Sequence, residues 1–542
     1  MAVLGDEVEM QAGVVRGRKE GEALVFKGIP YAKPPSGERR WKPPVPCEKN
    51  TCWSGTFNAS QFGSICAQQD FLGTTGNAEN VIGSEDCLFV NVWAPKERPK
   101  GELLPVLVFI HGGYLLYLSG NWKGFHPSPE MVVDMNIVAV SFNYRLNAFG
   151  FLALQSLSDS SSQNTSGNYG FMDQIMAFKW VKKNIEKFGG DPKSVTLMGS
   201  SSGGTSELAL LASPGAAGLF HRAIIMSASA VFNKSSVDAA RDNEIFVRNS
   251  NCVRNSSTAG DNNLEAERDC LYKLTPRQVQ DAIPWSEYPN WRMDDLLELP
   301  TKGRFVGAVA VVDGAVVSDP PLVAMANGKA NDVPLIIGTT AQEIDIAPSF
   351  VFKDTALVEY RARVQNRLGN FSVDVADSVL NMYNQTLSNG TFPSLQFAYT
   401  SMVTDLRATC PNNRVAKTAS QGFKSSVYRY VVTNRPTSPV SGLFGFPSTF
   451  AFHMWDLLAF FGFPSEVGYQ PSAKDKNFMK DLRREFGEFI NKGTVKQESW
   501  KEYPSKTALF ADNGVQVPAD EYHKEQCDFW LNNGFFSYAW IN

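Results

Sequence analysis

Histidine is scarce in this chain. Five occur in 542 residues, at His111, His126, His221, His453 and His523, so any reaction that needs an imidazole has few candidates to draw on. No apolar run approaches the twenty or so residues that carry a helix across a bilayer, which excludes an obvious membrane span. No two cysteines stand in a Cys-x-x-Cys pair, so the common zinc and thioredoxin patterns are missing, and neither a metal nor a cofactor is expected. Basic charge is not in excess: 51 Lys and Arg against 55 Asp and Glu leave a formal charge of −4, which offers a nucleic acid no electrostatic footprint. Internal repeats and low-complexity linkers are absent too. The opening stretch MAVLGDEVEM has neither a basic n-region nor an apolar core, so it does not read as a signal peptide.

What is present argues for the secretory pathway all the same. Asn-x-Ser/Thr acceptor sites occur at Asn58, Asn164, Asn233, Asn255, Asn370, Asn384 and Asn389. One alone arises easily by chance, but seven favour a glycosylated chain. The cysteine count is even, at eight. The expectation is a secreted chain whose signal has been trimmed and replaced by a start Met. Hydrophobic residues at 43% and charged residues at 20% are ordinary for a globular protein.

Short apolar or β-branched runs punctuate the chain: Pro105–Ile110, Ile137–Phe142, Ser194–Met198, Arg222–Met226, Val333–Ile337 and Val427–Val432. Helical patterns lie between them. In Asp173–Phe188, Ile175, Phe178, Val181, Ile185 and Phe188 recur at steps of three or four and mark one apolar helix face. Strands apolar throughout, alternating with helices, predict an α/β fold with a mostly parallel central sheet covered on both faces. The Pro- and Gly-rich stretch Ile29–Pro46 reads as irregular. One domain with long insertions, spanning 1–542, is expected.

In such sheets the site lies beyond the carboxyl ends of the strands. After Ser194–Met198 comes Gly199-Ser200-Ser201-Ser202-Gly203-Gly204, and G-x-S-x-G fits this stretch in one frame, centred on Ser201. This is the pattern of a nucleophile elbow, a sharp strand-to-helix turn that presents a hydroxyl and needs glycine where side chains would collide. Thr205–Ser213 can supply the helix that follows. The plain alternative is a Ser/Gly-rich loop, which the strand before and the helix after disfavour. After Pro105–Ile110 comes His111-Gly112-Gly113-Tyr114. A tetrahedral intermediate needs preorganised amides, and Ser202, Gly113 and Tyr114 are the expected donors. His111 reads as a shaper of this loop.

Chain order in this kind of site is Ser, then acid, then His. Only His453 and His523 follow Ser201 at a useful distance. His453, beyond the strand Val427–Val432, is preferred, and His523 reads as a surface residue. The acid should cap the strand Val333–Ile337. Glu343 is chosen with Asp345 in reserve, and spacing does not decide between them. His453 would take the proton of Ser201 as it attacks an ester carbonyl, and water would then release the acyl group.

At this point the sequence resembles the type-B carboxylesterase family, which includes cholinesterases, bile-salt-type lipases and juvenile hormone esterases. The stretches that carry the resemblance are Phe26–Ala32 (FKGIPYA), Ser84–Leu88 (SEDCL), Asn143–Leu146 (NYRL), Gly167–Gly170 (GNYG) and Phe188–Pro192 (FGGDP). It runs from about residue 10 to Trp530 and implies an α/β-hydrolase fold, an aromatic-lined gorge, and Glu343 as the third member beside Ser201 and His453. It also implies disulfides Cys66–Cys87, Cys252–Cys270 and Cys410–Cys527, and a buried ion pair of Arg145 with Asp173. Cys47 and Cys52 have no counterpart there and are expected to pair locally.

Two positions depart from the family pattern, and both belong to the floor of the gorge. Ser200 stands where relatives carry Glu, and Tyr114 stands where they carry a third Gly. A small-molecule substrate, a neutral and bulky ester, is expected, with no prediction for the oligomeric state. The segment between Cys66 and Cys87 has no Trp, so the choline platform of cholinesterases is missing. The rival readings are a non-catalytic binding member of the same fold, which would typically lose the nucleophile, and a specialised acyltransferase using the same acyl-enzyme.

Overall fold

The computed structural model describes residues 1–77, 79–252, 261–285, 296, 310–346, 348, 350–353, 356–388, 393–441, 445–463 and 467–540. The sequons at Asn255 and Asn389 lie outside them. Eleven strands form the main sheet: β1 Arg18–Glu20, β2 Ala23–Pro30, β3 Phe89–Pro95, β4 Leu104–Ile110, β5 Val138–Phe142, β6 Gly190–Ser200, β7 Arg222–Met226, β8 Leu335–Thr340, β9 Val427–Val432, β10 Thr507–Ala511 and β11 Gly514–Gln516. Their spatial order is β1-β2-β3-β5-β4-β6-β7-β8-β9-β10-β11. The pairs from β5 through β10 are parallel, and the two flanks are antiparallel.

Every residue of β5, β8 and β9 is buried. Alternation is lost because both faces are covered, which is why these strands read as unbroken apolar runs. The helices that build the faces, or carry the site, are α1 Pro129–Met135, α2 Tyr169–Asn184, α3 Ser202–Leu211, α4 Leu357–Leu368, α5 Val373–Ser388, α6 Leu395–Thr404, α7 Cys410–Gly422, α8 Trp455–Phe461, α9 Ala473–Lys492 and α10 Lys524–Asn532. On one face Val106, Val108, Val195, Leu197 and Ile225 pack against α2, α3 and α7. On the other, Leu107, Phe109, Met198 and Ile224 pack against α1, α8 and α9. A third apolar cluster joins α4, α5, α6 and α10.

Differences from the sequence reading are local. The expected helix Asp173–Phe188 starts at Tyr169, and its last turn, Ile185–Phe188, tightens to a 3-10 helix before Gly189 at φ 87°. The strand expected at Val333–Ile337 runs Leu335–Thr340, because Thr339 and Thr340 stay in register with Val431 and Val432. Within Ile29–Pro46 only the strand end and one short turn, Gly37–Arg39, are regular.

The eight cysteines form Cys47–Cys52, Cys66–Cys87, Cys252–Cys270 and Cys410–Cys527, as expected, and four disulfides suit an oxidising compartment. Arg145 holds Asp173 through two side-chain bonds of 2.8 Å and a main-chain bond of 3.0 Å, both residues being buried. Removing either partner would strand a buried charge at a cost of about 3–5 kcal/mol. Asn58, Asn164, Asn233 and Asn370 are exposed. Among the described residues no helix is long and apolar enough to cross a membrane.

Candidate active site

Ser201 follows β6 directly and precedes α3, with φ 61° and ψ −125°. That backbone is strained for a residue with a side chain. It persists because the turn is fixed from both sides. The Ser201 amide donates to the Met226 carbonyl at 2.9 Å. The two elbow glycines sit where no Cβ fits: on Gly199 it would lie 2.5 Å from the Gly203 backbone, and on Gly203 it would lie 2.2 Å from the Ile110 carbonyl oxygen. Ser201 is 5% exposed.

The loop after β4 packs on this turn. A Cβ on Gly112 would fall 2.7 Å from the Ser200 carbonyl oxygen and 3.0 Å from Ser201 Cβ. Gly113, Tyr114 and Leu115 follow at φ 106°, 58° and 62°. The Leu115 amide donates to Ser202 Oγ at 3.1 Å, fastening the loop to the first residue of α3. The Ser202 amide lies in the first turn of α3, where helical geometry supplies no partner. The loop that carries Gly113 and Tyr114 is thus held, at Gly112 and at Leu115, against the turn that carries Ser201 and Ser202. His111 is stacked on Tyr144 at 4.4 Å, and Tyr144 donates to the His111 carbonyl at 2.9 Å. Burial pulls the His111 pKa down to about 4, so the ring is neutral and shapes the loop.

Glu343 opens a short 3-10 turn, Glu343–Ile346, three residues beyond the end of β8. One carboxylate oxygen meets His453 Nδ1 at 2.5 Å. The other accepts from Ser227 Oγ at 2.5 Å and from the Thr340 amide at 2.7 Å. The His453 amide donates to the Glu343 carbonyl at 3.1 Å, so backbone and side chains both register the two residues. Asp345, the reserve acid, accepts instead from Ser448 Oγ, and burial pushes its pKa up to about 7. Asp456 accepts from Tyr430 at 2.7 Å, and burial, then the charge of Glu343, raises it to about 6.

The other histidines lie elsewhere. His126 stacks on Trp93 at 5.5 Å, and His221 Nδ1 accepts from the Val195 amide in the middle of β6. His523, read from the sequence as a surface residue, is instead half-buried. Its Nδ1 lies 2.8 and 3.0 Å from the two oxygens of Asp405, a buried residue that also accepts from Tyr383. Nothing in its local sequence announced this, because Asp405 is 118 positions away.

Aromatic rings gather beside the loop. Phe71, inside the Cys66–Cys87 loop, stacks on Tyr117 at 5.0 Å, and Tyr117 meets Tyr114 at 5.7 Å. The Ser200 side chain is buried, and its hydroxyl has no hydrogen-bond partner among the described residues. Sequence reading missed Glu207, fully buried on α3, whose Oε1 lies 2.9 Å from the point where a Gly199 Cβ would stand. Burial drives its pKa well above the carboxylate range, outweighing the opposing effect of the Gly199 backbone. A charged residue type at an inward position of α3, two turns past Ser201, was the signal available.

A serine on a strained strand-to-helix turn, at the carboxyl edge of this sheet, is the arrangement of the α/β-hydrolases. The carboxylesterase family model matches residues 5–530. The chain is 32% identical over 523 residues to a para-nitrobenzyl esterase of Bacillus subtilis (strain 168), covering 96% of this chain and 93% of that one. It is 38% identical over 286 residues to esterase E4 of Myzus persicae, covering 52% and 48%. Neurotactin of Drosophila melanogaster is 31% identical over 98% of this chain, which spans 56% of neurotactin. Among solved structures, a PNB esterase superposes with a TM-score of 0.76 at 27% identity, over 97% of this chain and 99% of that one. A thermophilic PNB esterase gives 0.75 at 28% identity, with the same coverage. The chain belongs to the carboxylesterase family, and it is an enzyme of the carboxylesterase type.

Proposed function

We propose that this chain is a secreted serine esterase that cleaves neutral, bulky carboxylic esters through an acyl-enzyme, working as one domain across 1–542. Ser201 is the nucleophile, His453 the base and then the acid, and Glu343 its partner. The amides of Gly113, Tyr114 and Ser202 form the oxyanion hole. The observation that carries this reading is the strained Ser201 turn, tied through Met226 to Ser227, whose hydroxyl grips the carboxylate that holds His453.

In the first half-reaction the Ser201 oxygen attacks the ester carbonyl while His453 takes the hydroxyl proton. The carbonyl oxygen gains a negative charge that the three amides receive. Collapse breaks the bond to the alcohol, which leaves with the proton from His453. Water repeats the sequence on the acyl-Ser201, with His453 again accepting and returning the proton, and releases the acid. Glu343 orients the imidazole and balances its cation.

Neutral substrates are favoured because Ser200 places no carboxylate beside the nucleophile. The Phe71, Tyr117 and Tyr114 rings offer apolar area for a bulky group. The four disulfides and the exposed acceptor sites at Asn58, Asn164, Asn233 and Asn370 support passage through the secretory pathway. The test is an organophosphonate ester, expected to add one covalent label that maps to Ser201. A label on another residue, or undiminished turnover in Ser201→Ala, would end the reading.

A further inference from the structure

The imidazole of His453 has a second neighbour besides Glu343. The indole of Trp540 meets it nearly at right angles, 84° between planes, with ring centroids 5.1 Å apart. Trp540 is 4% exposed and His453 5%, so the two rings touch in a dry environment. Trp540 lies outside residues 5–530, which the family model matches, so this contact comes from a part of the chain that the family pattern does not specify.

The backbone that carries the indole is held firmly. The Trp540 amide donates to the Arg407 carbonyl at 3.0 Å, and Arg407 Nη1 donates to the Tyr538 carbonyl at 2.7 Å. One residue of the turn Asp405–Thr409 thus grips the segment on both sides of Ala539. Just before it, the 3-10 turn Phe535–Tyr538 is anchored by its rings. Phe535 packs on Trp530 and Phe371 at 4.9 Å each, and Tyr538 packs on Phe371 at 5.4 Å. The segment is therefore a fixed support for whatever Trp540 touches.

We propose that Trp540 is a positioning residue for His453: its indole keeps the imidazole in line with Glu343 and stabilises that ring while it carries the proton taken from the nucleophile. This rests on the esterase reading above. The physical case has two parts. Glu343 fixes one nitrogen, and a ring held by a single hydrogen bond can still rock about it. A perpendicular aromatic wall removes that freedom, and small displacements of a catalytic group are costly in rate. The perpendicular arrangement is also one of the favoured ones for aromatic pairs, and in a desolvated site an indole that turns its face to the imidazole edge attracts the cation there.

Other groups act on the same imidazole and must be held constant. Glu343 lies on its Nδ1 edge, and Asp456 acts on it from α8. From β9, Arg429 and Tyr430 act on Glu343, and from the strand end of β7 Ser227 binds it. Trp540 is uncharged, so its replacement changes none of these charges.

The test compares Trp540→Leu and Trp540→Phe with the wild type. In Trp540→Leu, kcat on one ester should fall about tenfold with KM within about twofold. The acid limb of the kcat/KM profile should move down by about half a pH unit, since a less stabilised imidazolium loses its proton more readily. Trp540→Phe should recover most of both. The His453 ring signal, identified by its loss in His453→Gln, should titrate with the same downward shift by NMR. A limb and an NMR titration that stay in place in Trp540→Leu overturn the proposal, even if kcat and Tm both fall, because that pattern is purely structural. A wild type that cleaves no ester would count against the esterase reading, and the NMR titration would still decide the role of Trp540.

Discussion

Ser227 donates its hydroxyl to Glu343 at 2.5 Å. Ser227 stands directly after β7, at φ 53°, and its neighbour Met226 receives the amide of Ser201. The acid and the proposed nucleophile are therefore positioned by adjacent residues of one strand end. A hydrogen bond to a charged group is worth about 1.5–3 kcal/mol. Ser227→Ala should lower kcat about tenfold or more, leaving the fold intact by circular dichroism. Unchanged kcat would show that Thr340 and His453 hold the carboxylate unaided.

The choice of acid is tested by charge removal. Glu343→Gln should reduce kcat by orders of magnitude, since a neutral amide cannot stabilise the imidazolium. Asp345→Asn should change kcat little, because Asp345 is bonded to Ser448 and, with its pKa raised to about 7, carries only part of a charge near neutrality. The reverse pattern in steady-state kinetics would transfer the role.

Asp456 gives a pH-dependent prediction. With its pKa raised to about 6, first by burial and then by Glu343, it becomes anionic as pH rises through that value and then favours the protonated form of His453. Asp456→Asn removes this charge, so the acid limb of kcat/KM should move to lower pH. A limb that moves upward, or not at all, contradicts the placement of that charge.

Glu207 predicts a stability slope. Burial raises its folded pKa well above the ordinary glutamate value of 4.5. Above that value the folded chain retains a proton that the unfolded chain releases. Stability therefore falls as pH rises, by about 1.4 kcal/mol per unit, until the folded pKa is reached. Glu207→Gln lacks this term, so its Tm should gain on the wild type as pH rises above the ordinary glutamate range. Parallel Tm curves would exclude it.

The two departures from the family pattern bear on selectivity. Ser200→Glu should raise the preference for a cationic over a neutral ester of matched size by about five- to tenfold, as expected for one partly screened charge. Tyr114→Gly frees a backbone now held at φ 58°. If the tyrosine mis-aims one amide, the gain on small esters approaches the 10²–10³ associated with one oxyanion donor. Equal kcat/KM values in both variants and the wild type would make these positions neutral.

The sheet was legible because burial on both faces leaves an unmistakable run of apolar residues at β4 to β9. The elbow was legible because its two glycines are demanded by contacts at 2.5 and 2.2 Å that tolerate no Cβ. His453 emerged by elimination, thanks to the shortage of histidine. Glu343 against Asp345 was not decidable locally, since the difference lies in Ser227 and Ser448, more than a hundred positions away from one acid or the other. His523 was misread for the same reason, its partner being remote in sequence. Trp540 carries no motif at all, and only the folded chain brings it to His453.

The close fit of Gly203 on the Ile110 carbonyl has a wider reach. The strand that ends in Ile110 also launches the His111–Leu115 loop, so the proposed nucleophile and the proposed oxyanion donors are gauged against the same piece of backbone. Neither can drift without the other, and the reacting geometry tolerates almost no exploration by mutation. New substrates must then be acquired at the periphery, through the Cys66–Cys87 loop and the α4–α6 layer. A library confined to those surfaces would retain far more active members than one of equal size that touches the strand ends.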